Sequence, residues 1–453
     1  MLHPKGLMFR EQEGYRMLRI ATNWSTRLVD RYLPDPFVLV LLLTLLVFVL
    51  GVAAEGQSPV AMVNYWGGGF WKLLEFTMQM VLVLVTGFVL ASTPVVRRLL
   101  ASLAGLAKSP GSAILLVSVV SLVANWINWG FGLVIGALFA RQLARLVPEV
   151  DYRLLIASAY SGFVIWHGGL SGSVPLVIAT PGHFNEKLIG VIPTSETIFA
   201  PFNLAICVAL LILVPLVNRM MMGHGGTPVH VDPAKLTNPE PDAAGTVERP
   251  ADRLEHSRAV SVVVGLLGLA FLGLYLADKG FALNLNIVNF AFLFLGILLH
   301  GTPHRFLFSL NEAVKGSAGI VVQFPFYAGI MGMMVDSGLA RSFSEWFVSF
   351  SSAGTLPLFT FWSAGLLNVL IPSGGGQWAV QSQVMLPAAL ELNADLAKTA
   401  MAVAWGDAWT NMIQPFWALP ALAIAGLKAR DIMGFCLIVL VVSGVVISAG
   451  MLL

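Results

Sequence analysis

Ile371-Pro372-Ser373-Gly374-Gly375-Gly376-Gln377-Trp378 lies between two short apolar runs, roughly residues 356–370 and 379–390. Each run falls short of the about 20 helical residues needed to cross a hydrocarbon core. Together they form one oversized segment, broken in the middle by proline, three glycines and uncharged polar side chains. Backbone broken in this way cannot face lipid and must be buried in protein or line a polar cavity. The stretch therefore predicts a re-entrant hairpin that turns on its glycines at mid-membrane. Helix ends and free amides at such a tip suit a small anion and the cation coupled to it. This is the expected binding site of a transporter.

The rest of the chain agrees with a membrane setting. Of 453 residues, 57% are hydrophobic and 11% charged, against about 25% charged in soluble domains. The fold class expected is an all-α polytopic membrane protein. A formal charge of +2 carries no sign of nucleic-acid binding. Cys207 and Cys436 both lie in apolar runs, with neither metal-site spacing nor a disulfide framework. The first apolar run begins only at Phe37, so a cleaved signal peptide is not expected.

In chain order, residues 1–36 read as a basic, amphipathic cytoplasmic lead-in ending at Pro34-Asp35-Pro36. Residues 37–217 read as a first transmembrane repeat. It has spans near 37–54 and 76–92, a long segment at 111–143, and a span at 154–179 interrupted by His167–Pro175. A last span lies at 202–217. The segment 111–143 is long for one crossing and carries positive charge at both ends. A hairpin centred on Asn125–Gly132 satisfies the positive-inside bias, whereas a straight crossing does not. Residues 218–257 read as a cytoplasmic linker and 181–193 as external. Residues 258–453 then supply an extra helix and a second repeat with hairpin 356–390. Its broken span, 399–426, is interrupted near Asn411. The count is nine crossings, with the N-terminus inside.

The order span, span, hairpin, broken helix, span occurs twice, and the extra helix near 259–276 inverts the second copy. Trp166-His167 to Pro175 has the spacing of Gly406-Asp407 to Pro415. Inverted repeats whose broken helices meet at mid-membrane belong to secondary transporters.

Three stretches carry a family resemblance: Ile371–Gln381, the Asn125–Gly132 tip, and Trp409-Thr410-Asn411-Met412-Ile413-Gln414-Pro415. They resemble the bacterial short-chain fatty acid transporter family, from about Tyr32 to the C-terminus. The resemblance implies uptake of short carboxylates such as acetoacetate, butyrate or acetate in the bacterial inner membrane. It also implies kinship with ion transporters that use paired hairpins, elevator-type movement and, often, homodimers. Relatives there often carry Ser-Asn-Thr at both tips. Here one tip has Asn125 and Asn128, the other Ser373 and glycines.

The candidate carboxylate-binding residues are Asn125, Asn128, Gly130, Ser171, Ser173, Ser373, Gly374, Gly375, Gly376, Gln377 and Asn411, with Trp129, Trp378 and Trp409 walling the alkyl part. No arginine lies at either tip, which favours a monovalent, partly apolar anion. Asp407 is a carboxylate well inside a span, where charge is expensive and functional by default. With Thr410 and Asn411 it is the candidate sodium site or, alternatively, a proton carrier, so coupling is to sodium or protons, and Asn125 and His167 are further candidates for cation coupling. No other cofactor is expected. The bland readings are an interfacial turn at Asn125, a packing kink at Ser373–Gln377, an ion pair at Asp407, and a satisfied carbonyl partner at His167. Two other functions compete. Gly169-Leu170-Ser171-Gly172 matches the Gly-x-Ser-Gly of intramembrane serine proteases, with His300, at the end of its span, as a candidate base. An anion channel is the other, although two opposed hairpins favour alternating access. The expectation is a transporter and not an enzyme.

Overall fold

A computed structural model of the chain describes residues 36–223, 228–232, 236, 249–369, 371 and 373–453. The lead-in expected over residues 1–36 and most of the linker lie outside the described residues. The described residues form helices joined by turns, with no strand among them.

Two helices open the chain, α1 (Pro36–Ala53) and α2 (Pro59–Gly69). A span α3 (Leu74–Ala91) and a short helix α4 (Pro94–Ala104) follow. The pair α5 (Pro110–Ile127) and α6 (Trp129–Leu146) is separated by Asn128 alone. Next comes an interrupted helix. α7 (Tyr152–Ser161) tightens into a 3-10 stretch, Gly162–Gly168, and resumes as α8 (Ser173–Ile178). After α9 (Glu186–Ile189), α10 (Pro201–Met220) closes this half.

Between the halves lie α11 (Pro250–Glu255), α12 (Arg258–Lys279), α13 (Leu285–His300) and α14 (Pro303–Val314). The order then recurs. It runs through a span α15 (Ala318–Ser337), a short helix α16 (Leu339–Phe350) and the pair α17 (Leu356–Leu367) and α18 (Gly374–Leu392). The interrupted helix is α19 (Leu396–Thr410), 3-10 at Asn411–Ile413, then α20 (Pro415–Ala425); α21 (Ala429–Leu452) ends the chain. The one-face helices α4, α14 and α16 are absent from the sequence reading. Each is 11 or 12 residues long, too short to span, and buries only a few small or apolar residues.

Both helix pairs fold back on themselves. In the first, a Cβ on Gly136 would meet Ser121 Oγ at 2.9 Å, and Gly132 abuts Asn125. In the second, Gln377 Nε2 donates to Ala364 O (2.8 Å) and Gln381 Nε2 to Ser363 Oγ (3.1 Å). Residue numbers that rise on one arm fall on the other, so the arms are antiparallel. Small residues also let α12 approach α13, where Gly265 and Gly268 lie against Leu298 and Phe294.

Helix ends sort to two faces of the bundle. At one, Tyr152 donates its N–H to Val229 O and its hydroxyl to Ala425 O, and Gly111 lies beside Arg219. At the other, Gln57 Nε2 donates to Ser337 O, Leu285 N to Thr180 Oγ1 and Gln383 Nε2 to Asn185 Oδ1. Following the helices between these marks, Lys72, Lys187, Lys279, Arg341 and Lys398 fall at the second face. The other described basic residues fall at the first.

Candidate functional site at the crossing of two broken helices

Each break has a local cause. After the 3-10 stretch, Gly169–Gly172 carries the chain to Pro175 in the first turn of α8. Pro415, first in α20, lacks an N–H and disfavours helix in the residue before it. Gln414 is accordingly extended.

The two breaks meet. His167 Nδ1 lies 3.2 Å from Asp407 Oδ2, and both side chains are wholly buried. His167 Nε2 accepts the N–H of Val174 (3.3 Å). That nitrogen offers a lone pair, and Nδ1 is set against the carboxylate without making a hydrogen bond of its own. The ring also stacks on Trp166, centroids 3.9 Å apart. Asp407 Oδ2 accepts from Asn411 Nδ2 (3.2 Å), while Oδ1 has no partner.

Amides crowd the same crossing with one polarity. Asn368 Nδ2 donates to Asp407 O (2.8 Å) and Thr410 Oγ1 (2.9 Å). Gln414 Nε2 donates to Asn368 O (2.7 Å), and Asn411 Nδ2 donates to Asp407 O. Every one of these amide nitrogens is used, whereas Asn368 Oδ1, Asn411 Oδ1, Gln414 Oε1 and Gln377 Oε1 have no partner. Buried polar atoms are normally paired. A set of orphaned oxygens beside a carboxylate is chemically suited to a small hard cation. Thr410 itself is more committed, donating to Gly365 O (3.0 Å) while accepting from Asn368.

The glycine stretch arrives from the other side. Ser373 caps α18, its Oγ accepting from Gly376 N (3.4 Å). The three glycines form the first helical turn and none has positive φ, so they do not make the tight turn expected of them. Close approach explains them instead. A Cβ on Gly374 would lie 3.0 Å from His167 Nε2 and 3.1 Å from a Trp166 ring carbon. On Gly375 it would lie 2.6 Å from Phe76 Cζ, and on Gly376 2.6 Å from a Tyr327 ring carbon. The first amides of α18 have no acceptor within the helix, and they open beside His167.

The first hairpin tip reaches the crossing through Trp129, whose ring lies 5.9 Å from that of Trp166. Asn128 is the N-cap of α6, accepting from Phe131 N (2.9 Å), and Gly130 runs against the Leu84 backbone. Asn125 is wholly buried with Oδ1 unpartnered, its nitrogen donating to Ser121 O (2.8 Å). Ser171 Oγ accepts the N–H of Trp129 (2.9 Å) and Leu170 N donates to Trp126 O (2.7 Å), sewing this tip to the first break. Ser171 is therefore a cap, and His300 is occupied elsewhere with Val89 O. Ser173 is buried at the start of α8. Trp378 is wholly buried, whereas Trp409 turns away from the crossing, donating to Leu440 O (2.7 Å) beside Phe361.

Sequence reasoning assigned no site role to Asn368, Gln414, Tyr160 or Asn203, although Gln414 lies in one of the stretches that carry the family resemblance. Tyr160 donates its hydroxyl to Asn411 O (2.6 Å), and Asn203 bonds both broken helices. Asn368 and Asn203 are each amides in apolar runs, a signal that the residues themselves carry. Gln414 and Tyr160 have no such mark.

The crystal structure of the Alcanivorax borkumensis YdaH transporter, described as having an unusual topology, is similar in fold. Its TM-score is 0.55 at 17% identity, covering 92% of this chain and 98% of that one. A protein of Escherichia coli (strain K12) is 48% identical over 96% of this chain and all of its own length. One of Haemophilus influenzae is 43% identical over 96% of this chain and 99% of its own length. Both carry the name "Putative short-chain fatty acid transporter". The model of the family described as short chain fatty acid transporter matches residues 17–453. This chain, a multi-pass membrane protein built around two broken helices, belongs to the short-chain fatty acid transporter family.

Proposed function

We propose that the protein imports short-chain fatty acids or related small monocarboxylates such as butyrate, acetate or acetoacetate, coupled to sodium, across the bacterial inner membrane. The carrying observation is the crossing itself, where the start of α18, His167 and Asp407 meet with both hairpin tips nearby. The carboxylate binds at the first amides of α18 with Ser373, where the helix dipole favours an anion. Trp166 and Phe76 line the alkyl part. Asp407 Oδ1, Asn411 Oδ1 and Asn368 Oδ1 would hold sodium, and their lack of partners supports that assignment.

Movement of the elevator type is supported by how the long-range hydrogen bonds divide. One set ties α5–α8, α10 and α17–α21 together, as in Tyr160 to Asn411 O, Asn218 to Ser118 and Ser161, and Trp409 to Leu440 O. Another ties α3 to α13, as in Gln79 to Asn286, Asn289 to Gln79 O and His300 to Val89 O, while Gln57 before α2 donates to Ser337 O of α15. The two sets meet largely by packing, with glycines facing the seam at Gly87, Gly130, Gly375 and Gly376. Leu285 to Thr180 and a long 3.5 Å bond from Asn128 to Val83 O also cross it. The face carrying most basic residues is assigned to the cytoplasm.

The test is counterflow and uptake of labelled acetate, butyrate and acetoacetate in proteoliposomes, with and without a sodium gradient. Saturable exchange that sodium accelerates is expected. Absence of exchange for every short monocarboxylate rejects the reading.

A further inference from the structure

Asn203 stands outside the site and touches none of its candidate ligands, yet its amide bonds both broken helices. It is wholly buried in the first turn of α10. Its Nδ2 donates to Gly168 O (2.9 Å) and to Ile198 O (2.8 Å). Its Oδ1 accepts the indole N–H of Trp405 (2.9 Å). Gly168 follows His167 directly, and Trp405 precedes Asp407 by two residues. Gly168 is also in close contact with Trp405, where a Cβ would lie 3.0 Å from the ring carbon Cη2. A single planar amide thus spans the two breaks one and two residues from the pair where they meet.

We propose that Asn203 is a positioning residue that sets how the two broken helices cross, and so the placement of His167 against Asp407 and the start of α18. The inference rests on the transport reading above. The chemistry requires an amide. Two carbonyls need donors while one indole needs an acceptor, all within a rigid plane. Aspartate keeps the acceptor and turns both carbonyl contacts into oxygen–oxygen repulsions. Alanine removes the amide donor from both carbonyls, leaving Gly168 O only the weak thiol of Cys207 (3.8 Å), and strips the buried indole of its acceptor, where unpaired polar groups are costly. Gly168 O also lost its own helical partner when the 3-10 stretch ended, which is why a side chain serves it.

A control lies on the same helix. Asn218 is equally buried near the far end of α10 and donates to Ser118 Oγ (2.9 Å) and Ser161 Oγ (2.8 Å). It bonds the first hairpin and α7 but neither break.

The experiment compares Asn203→Asp, Asn203→Ala, Trp405→Phe and Asn218→Ala in proteoliposomes by butyrate counterflow, alongside hydrogen exchange by mass spectrometry. The Asn203 variants are expected to raise KM for butyrate about tenfold with maximal rate within about twofold of wild type. They should also speed exchange in both 162–174 and 405–414. Trp405→Phe removes one bond and should raise KM about threefold, which keeps the proposal testable if the Asn203 variants do not fold. Asn218→Ala should lower thermal stability and leave KM unchanged. An Asn203→Asp protein that folds with wild-type KM and wild-type exchange at both breaks overturns the proposal. So does an Asn218→Ala protein with the same rise in KM. If wild type transports no short monocarboxylate, the transport reading fails. Hydrogen exchange then decides Asn203 alone, and exchange unchanged at either break rejects it.

Discussion

Ser171 accepts the backbone N–H of Trp129 at 2.9 Å, so the hydroxyl of a Gly-x-Ser-Gly motif is spent on capping a neighbouring hairpin arm. Replacing it with alanine leaves a buried amide without its acceptor, a cost of about 1–3 kcal/mol. Ser171→Ala is expected to lower the melting temperature by a few degrees and to keep transport measurable. A fluorophosphonate probe should leave Ser171 unlabelled, and labelling there would revive the protease reading.

Asp407→Asn separates sodium from proton coupling. Under the sodium assignment, the variant loses most sodium stimulation of uptake and keeps some carboxylate binding. Proton coupling instead predicts lost accumulation under a pH gradient with counterflow preserved, because exchange moves no net proton. Wild-type accumulation under both gradients would make the His167–Asp407 pair purely structural.

Gly375→Val is expected to cut uptake tenfold or more while the protein still inserts and folds. The added carbons overlap the Phe76 ring, and overpacking of this kind costs about 1–3 kcal/mol. Pairing it with Phe76→Ala should recover part of the activity. Undiminished uptake by Gly375→Val alone would disprove the close-approach account.

Outside the spans, His183 holds the loop after α8 as a neutral ring. Nδ1 accepts from Asn185 N (3.3 Å) and Nε2 pairs with Gly190 O (2.9 Å). Burial lowers its pKa, opposed by the Gly190 carbonyl and by Glu186. A histidine whose folded pKa lies below its unfolded value of 6.5 is less protonated when folded. Its contribution is therefore complete above pH 6.5 and is lost as pH falls from there through the folded pKa. Residues 180–190 should become protease-sensitive under acid conditions in wild type and lose that pH dependence in His183→Gln.

Topology is testable with single cysteines in a background lacking Cys207 and Cys436. Positions in 181–193 should react with an impermeant maleimide from outside, and those at 228–232 only after permeabilisation. Reversed labelling would invert the assignment of faces.

Much of this architecture was legible because membranes punish broken helices. Ile371–Trp378, Asn125–Gly132 and His167–Pro175 each put helix breakers where apolar helix should continue, and each is a break in the structure. The pairing of His167 with Asp407 was hinted at by matched spacing. What the residues withheld was direction. Nothing in Trp409 says that it faces α21, nor in Gly374–Gly376 that they yield to rings and not to a turn. Helices α4, α14 and α16 were missed because they are too short to register as spans.

The buried crossing has a consequence for leakage. On the proposed mechanism both hairpin tips are fastened to one hydrogen-bonded set, the first through Ser171 and Leu170 and the second through Asn368. Opening both tips at once would require that set to come apart and strand a buried carboxylate, at about 3–5 kcal/mol. On that mechanism a conducting pore is disfavoured, and solute crosses as a passenger with its ion.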